Sequence, residues 1–282
     1  MFSRFYSPLP QLKDYIKYYI IFDTALDDFN QSIQCSIPYN CPVLVFTVSD
    51  SAPTFVLDGH SITNVTAHIG GQTFSPVYMD KPGNYRIIVV FFRPNGAYHL
   101  FAVPQKEYLG QFVTLQFLLG KKTSNIFQRI YESRISNNLI VKVLNTFFLD
   151  FIKDSHLSKT YIDQAIELIT RQNGKMRIED LCIQLNVNPR TLRRDFSDQV
   201  GVSPKEFSRI LRLNRLHKYL MYYNHISIHD LVYQLGYFDQ AHLINDFKKY
   251  ANYTPGFLKN NLIIKNFLKA DTYYENFPLT AN

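Results

Sequence analysis

The sequence predicts an α+β chain: an N-terminal antiparallel β-barrel or sandwich with trailing helices, then an all-α region of two tandem helix-turn-helix units. Three observations carry this. Residues up to about 95 have a strand texture, residues beyond it have helical periodicity, and the C-terminal third contains an internal repeat. The 282 residues favour two domains, because single cores stop growing near ~250–300 residues. The expected division is a β-rich part with trailing helices over 1–155, a helical part that carries the tandem units over 156–264 and a tail over 265–282.

The strand texture lies in Ile16–Phe22, Ile33–Ile37, Val43–Val48, Thr54–Leu57, Thr63–Ile69 and Tyr85–Phe92, all rich in β-branched and aromatic residues. Turn chemistry separates them at Asp50-Ser51, Asp58-Gly59, Gly70-Gly71 and Pro82-Gly83. Short strands at this spacing suit a barrel or a sandwich. Gly96–Val103, closed by Pro104, reads as a short helix. Thr123–Arg134 and Asn138–Ile152 read as longer amphipathic ones, the second with Leu139, Val143, Leu144, Phe147, Phe148 and Phe151 on one stripe. That stripe is expected to pack on the strands, with a dimer interface as the alternative. Asp154 to Lys159 is polar and is the expected linker.

The repeat is the most informative feature. Leu181 and Leu185 return 50 residues later as Leu231 and Leu235, whereas Leu192 and Phe196 return 51 later as Leu243 and Phe247. Val202-Ser203-Pro204 returns as Tyr253-Thr254-Pro255. The one-residue difference falls between the two helices of each unit, where a turn absorbs it. In the first copy Ile178–Leu185 is a helix, Asn186-Val187-Asn188 turns the chain, and Asn188 caps a second helix from Pro189 to about Gln199. In the second, Ile228–Leu235 ends at Gly236, suited to a left-handed C-cap, and Asp239 caps Gln240 to Lys249. Between them Ser203-Pro204-Lys205-Glu206 predicts a capping box that starts a helix running to about Leu220. Each copy is a helix-turn-helix.

The second helix of the first copy turns Leu192 and Phe196, ~40° apart on a helical wheel, inward. Arg190, Arg193, Arg194 and Ser197 are left on the outer face. Arginine matches guanine O6 and N7 with two hydrogen bonds, so this face suits base reading, with phosphate contact as the less specific use. A solvated face paired with Asp195 or Asp198 is the plain structural reading. In the second copy the equivalents of the three arginines are Ala241, Ile244 and Asn245. Gln240, His242 and Asn245 stay polar, with His242 equally suited to a half-buried structural place, and Lys248 and Lys249 suit phosphate. The second copy is therefore expected to position more than to specify.

Charge agrees with a polyanionic partner. Residues 1–158 carry 13 Lys/Arg against 11 Asp/Glu, and residues 159–282 carry 17 against 12. Cys35, Cys41 and Cys182 form no CxxC pair and leave an odd number, which favours a reducing compartment. The N-terminus opens no signal-peptide pattern, and the longest apolar run, Ile87–Phe92, is too short for a membrane helix. A cytoplasmic protein without membrane contact is expected. His60, His68 and His99 are scattered, and there is no HxH, HExxH, GxGxxG, Walker loop or paired nucleophile and base. No enzyme, metal or cofactor is expected.

Residues 160–260 resemble the DNA-binding domain of the AraC/XylS family of bacterial regulators. The first unit carries the resemblance through Leu181, Leu185, Asn188, Arg190, Leu192, Arg194, Phe196, Gly201 and Phe207, with Arg212 on the linking helix. The second carries it through Ile228, Leu231, Gly236, Tyr237, Phe238, Asp239, Leu243, Phe247, Thr254 and Pro255. The resemblance implies base contact from Arg190, Arg193, Arg194, Gln240, Ala241, His242 and Asn245. Its implied partners are double-stranded DNA, RNA polymerase, a small-molecule effector and a second copy of the chain. Many members have Arg at the position of Asn245, Gly at Asn252 and Ala at Tyr219; the first difference weakens base reading by the second unit. Phe92 to Ala97 resembles the cupin-like sensing domains of such regulators, where Tyr78, Tyr85, Arg86 and Arg93 would be candidates to line an effector site or ordinary strand residues. The alternative is a ligand-binding or enzymatic β-barrel whose helical C-terminal part only docks proteins.

Overall fold

Alternation of apolar side chains along the strands decides how the N-terminal part layers. The computed structural model describes residues 3–24, 33–49, 53–79, 84–123, 125–154, 159–222 and 227–260. The strands are β1 (Ser3–Tyr6), β2 (Ile16–Asp23), β3 (Ile33–Ser36), β4 (Val43–Val48) and β5 (Phe55–Leu57). β6 (His60–Ile62), β7 (Ala67–Gly70), β8 (Val77–Met79), β9 (Arg86–Phe92) and β10 (Phe112–Thr114) follow. They form a six-stranded sheet in the order β1-β2-β9-β4-β7-β10 and a four-stranded sheet in the order β3-β8-β5-β6. Both sheets are antiparallel, and among the described residues neither closes into a barrel.

The helices are α1 (Gly96–Phe101), α2 (Leu115–Leu119), α3 (Ile126–Glu132), α4 (Asn137–Asp154), α5 (Tyr161–Arg171) and α6 (Ile178–Leu185). α7 (Pro189–Val200), α8 (Pro204–Tyr222), α9 (Ile228–Gln234), α10 (Gln240–Ala251) and α11 (Pro255–Asn260) complete the chain order. One face of the large sheet, with Tyr19, Ile21, Leu44, Phe46, Ile88 and Val90, packs on α1, α3 and α4. The α4 stripe is buried there through Leu144, Phe147, Phe148 and Phe151, whereas Leu139 stays exposed and Ile140 takes the inner position. The opposite face is shared. Val45 and Ile87 meet the small sheet. Tyr18, Ile20 and Phe91 join Tyr39 in one core with α8, α9 and α10. The two parts of the chain are thus joined through apolar contact, and burial of that kind is the dominant favourable term in folding.

Several expected strands shift for local reasons. The run Thr63–Ile69 is broken, because Asn64 adopts a left-handed φ of 54° and the strand resumes only at Ala67. Gly70-Gly71 is no turn: Gly70 ends β7, opposite both Val43 and Phe112. A Cβ at Gly71 would lie 2.1 Å from the Tyr108 carbonyl oxygen. These glycines permit close approach of the 105–111 segment to the sheet. β1, β6, β8 and β10 are three or four residues long and gave no periodic signal. Asp58-Gly59 does turn, with φ of 51° and 78°. Asp50-Ser51, Pro82-Gly83, most of the linker and the tail from 265 lie outside the described residues.

Candidate nucleic-acid interface

The two helical units are built alike. Helix α6 ends at Asn186, φ 50°, and α9 at Gly236, φ 72°, which occupy equivalent left-handed positions. In each, the next residue closes the turn: Val187 N–H donates to Cys182 O at 3.1 Å and Tyr237 N–H to Val232 O at 2.9 Å. Asn188 then accepts from Thr191 N–H at 2.8 Å and Asp239 from His242 N–H at 2.7 Å, starting α7 and α10. Leu192 and Phe196 on α7 and Leu243 and Phe247 on α10 are fully buried, as is Leu181 on α6. Pro255, which begins α11, is also buried.

With those faces turned inward, the expected reading positions fall outside. Arg190, Arg193 and Arg194 are exposed on α7 and Ser197 is half-buried. Arg190 and Arg193 have no ion-pair partner among the described residues. Arg194 does: its Nε lies 2.6 Å from Asp195 Oδ1. Tyr161 on α5 donates to the other Asp195 oxygen. The Arg194 hydrogen bond, which outweighs partial burial, holds the Asp195 carboxyl below the usual carboxylate range. On α10, Gln240, Ala241, His242, Asn245, Lys248 and Lys249 are all exposed, while Ile244 is half-buried against the shared core. His242 lies edge-on to Tyr237 and 3.8 Å from Asp246.

Helix α8 braces the units through a polar cluster that the sequence reading did not find. Ser203 Oγ accepts from Glu206 N–H at 3.2 Å, half of the expected capping box. The Glu206 carboxylate turns instead to the Tyr250 hydroxyl on α10 and to Arg209. Arg209 reaches on to Asp246, with Nη2 at 2.6 Å from Oδ1, and the Asp246 side chain is only 7% exposed. Arg212 covers the Tyr237 ring at 5.1 Å and donates to Gly174 O at 3.4 Å. Apart from Glu206–Arg209, which are i,i+3 neighbours on α8, these contacts join positions far apart in the chain, and spacing gives no hint of them.

The N-terminal part touches α5, α7 and α8 through specific polar contacts. Gln72 donates to Val200 O at 2.7 Å and Asn40 to Phe207 O at 3.0 Å, both buried. Asn214 on α8 donates to Asn40 Oδ1 at 2.8 Å. Asn95 and His99 meet Asp163 of α5 at 2.9 and 3.2 Å. Burial alone would raise the Asp163 pKa, but hydrogen bonds from His99, the Thr160 N–H and Asn95 hold it down to about 2.

A cleft of about 710 Å³ lies between the parts, lined by Asp14, Lys17, Arg93, Lys159, Asp163 and Glu167 among others. Of the four candidate effector residues only Arg93 lines it. Arg86 lies at the other end of β9, near Asp23 and Asn137, with Tyr85 buried beside it. Tyr78 stands on β8. The four are not brought together. Among the described residues no group of three or more His, Cys, Asp or Glu is placed to hold a metal, and no helix is long and apolar enough to cross a membrane.

Residues 181–261 match the helix-turn-helix domain family, and residues 4–114 match DUF6597, a domain of unknown function. The HTH-type transcriptional activator RhaS of Escherichia coli O139:H28 is 31% identical over 72 residues, which are 26% of this chain and 26% of RhaS. The chain therefore matches about a quarter of the length of that relative. Among solved structures, ToxT from Vibrio cholerae O395, bound to a naphthalenyl-butenoic acid, is 13% identical. The match covers 87% of this chain and 99% of ToxT at a TM-score of 0.49. The AraC-like transcriptional activator CuxR is 11% identical over 73% of this chain and 83% of its own, at a TM-score of 0.27.

Proposed function

We propose that this chain is a sequence-specific DNA-binding transcription regulator of the AraC/XylS type, in which α7 and α10 enter two adjacent major-groove segments. One observation carries the reading. Two equivalent, side-chain-capped helices bury the matching pairs Leu192/Phe196 and Leu243/Phe247 completely and turn outward the residues suited to bases and phosphates. Phe207 and Leu211 of α8 share a core with Leu192 and Phe196 of the first unit, while the Arg209–Asp246 pair and the apolar core between α8 and α10 hold the second, so both units sit on one brace. A reader of one duplex face requires such a fixed separation, about one helical turn or ~34 Å.

On this reading Arg190 and Arg193 specify bases, Arg194 contributes when it leaves Asp195, and Ser197 approaches the backbone. Gln240, Ala241, His242 and Asn245 form a weaker reading edge, with Lys248 and Lys249 on phosphate. The protein is a non-catalytic activator-type regulator of the cytoplasm. RNA polymerase, a small-molecule effector and a second copy of the chain are its proposed partners. The part preceding residue 156 is proposed as the sensing or dimerisation domain, cupin-like in type, with the DNA-binding domain over 156–264. Selection of bound duplexes from a random pool, followed by retention assays on R193A/R194A, tests the reading. Specific retention is expected to vanish in that variant while the fold persists; unchanged retention contradicts it. Affinity should also fall steeply with salt through counterion release.

A further inference from the structure

The segment that crosses from the N-terminal part onto the first unit carries a cation of its own. A 3₁₀ turn, Gln105–Tyr108, lies along α7, with Gln105 and Tyr108 buried. Its position is fixed from behind: Gly110 N–H donates to Gln72 O at 2.8 Å, Gly71 N–H to Gln111 O at 3.1 Å, and Gln105 Nε2 to Pro94 O at 2.9 Å. Lys106 points outward, its side chain about half exposed, and its ammonium lies 2.7 Å from Asp198 Oδ1 on α7. Together they flank an open groove of about 520 Å³ whose other walls include Arg190, Arg193, Arg194 and Ser197.

Helix α7 therefore carries two carboxylates on the flanks of its arginine face. A bare carboxylate beside a phosphate backbone repels it and offsets one of the neighbouring cations. Asp195 is neutralised from within the unit, by Arg194. Asp198 is neutralised by a residue of the N-terminal part. We propose that Lys106 is a positioning residue of the DNA interface: by pairing with Asp198 it removes the negative charge from the flank of α7, so that docking of the 105–108 turn sets the potential the duplex meets. The proposal rests on α7 being the reading helix. It also gives the N-terminal part a direct electrostatic hold on DNA affinity, because lifting the turn from α7 uncovers Asp198.

The test uses the full-length chain and a duplex selected from a random pool, with K106A, D198N and K106A/D198N compared at two salt concentrations. K106A should weaken binding about tenfold at low salt, with a smaller loss at high salt, since one net charge near the phosphates is changed. K106A/D198N should recover to within about twofold of the wild type, because it restores neutrality without restoring the ion pair. Loss of packing alone would not be repaired by the second substitution. Binding by K106A that is unchanged or tighter overturns the proposal, as does a double variant as weak as K106A. A wild-type chain without sequence preference removes the reading of α7 itself; a wild type that binds while K106A matches it removes only the role of Lys106.

Discussion

At the scale of single residues, the outward face of α7 divides by who already holds each arginine. Arg193 has no carboxylate partner among the described residues, whereas Arg194 is drawn to Asp195 at 2.6 Å. Leaving that pair offsets part of any gain at a base. Arg193→Ala should therefore cost more discrimination than Arg194→Ala. A loss of about 1–3 kcal/mol is expected for a lost bidentate contact to guanine. Competition binding with single-base variants of the selected duplex measures this. Equal losses for both would show that Arg194 is released at no cost. The positions themselves were legible: burial of Leu192 and Phe196 at helical spacing leaves the arginines nowhere but outside. The pairing of Arg194 was foreseen only as one alternative among two aspartates, because wheel geometry does not choose between adjacent rotamers.

At the scale of elements, helices α6, α7, α9 and α10 have ends that local chemistry dictates. Asn188 and Asp239 cap as their residue types require, and replacing Asp239 with Ala should cost about 1 kcal/mol in urea unfolding. An unchanged midpoint would show that the first turn of α10 is held by packing alone. The brace between the units is a different matter. Arg209→Ala strands Asp246, whose side chain is 7% exposed, and should destabilise by on the order of 3 kcal/mol. Replacing Asp246 with Asn in the same chain should recover part of that loss, since it removes the uncompensated charge. Stability unaffected by Arg209→Ala would mean that the apolar core by itself fixes α10 on α8. The repeat made both units visible, yet the Glu206–Arg209–Asp246–Tyr250 cluster was not legible, because it joins α10 to the single linking helix α8, which the repeat does not include. The same limit appears in the sheets: β4 and β9, long and apolar, were readable, while three-residue β6, β8 and β10 exist through pairing partners supplied by tertiary structure.

At the scale of the whole molecule, the C-terminal helices share a core with the sheet, so stability should respond as one unit to buried groups in either part. His68 on β7 and His217 on α8 have pKa values lowered by burial, His217 to about 3. Their folded values lie below the unfolded one, so the neutral form is favoured by folding and protonation favours unfolding. Stability is full above an unfolded histidine pKa of ~6.5 and declines as pH falls toward about 3, the folded value of His217. Asp163, held at about 2, adds a loss of the same sign only below its unfolded pKa of ~3.9. Melting temperature should drop between pH 7.5 and 5, and His217→Phe should flatten that decline if the variant folds. A flat profile in the wild type contradicts the burial of these rings. An asymmetric pair of readers on one brace leaves its mark on the operator, which duplex selection recovers. The selected sequence should hold two information-bearing segments about one helical turn, ~10 base pairs, apart, one strongly defined and guanine-containing and the other weakly defined. Two equally sharp segments, or a single segment with no second one at that spacing, would contradict it.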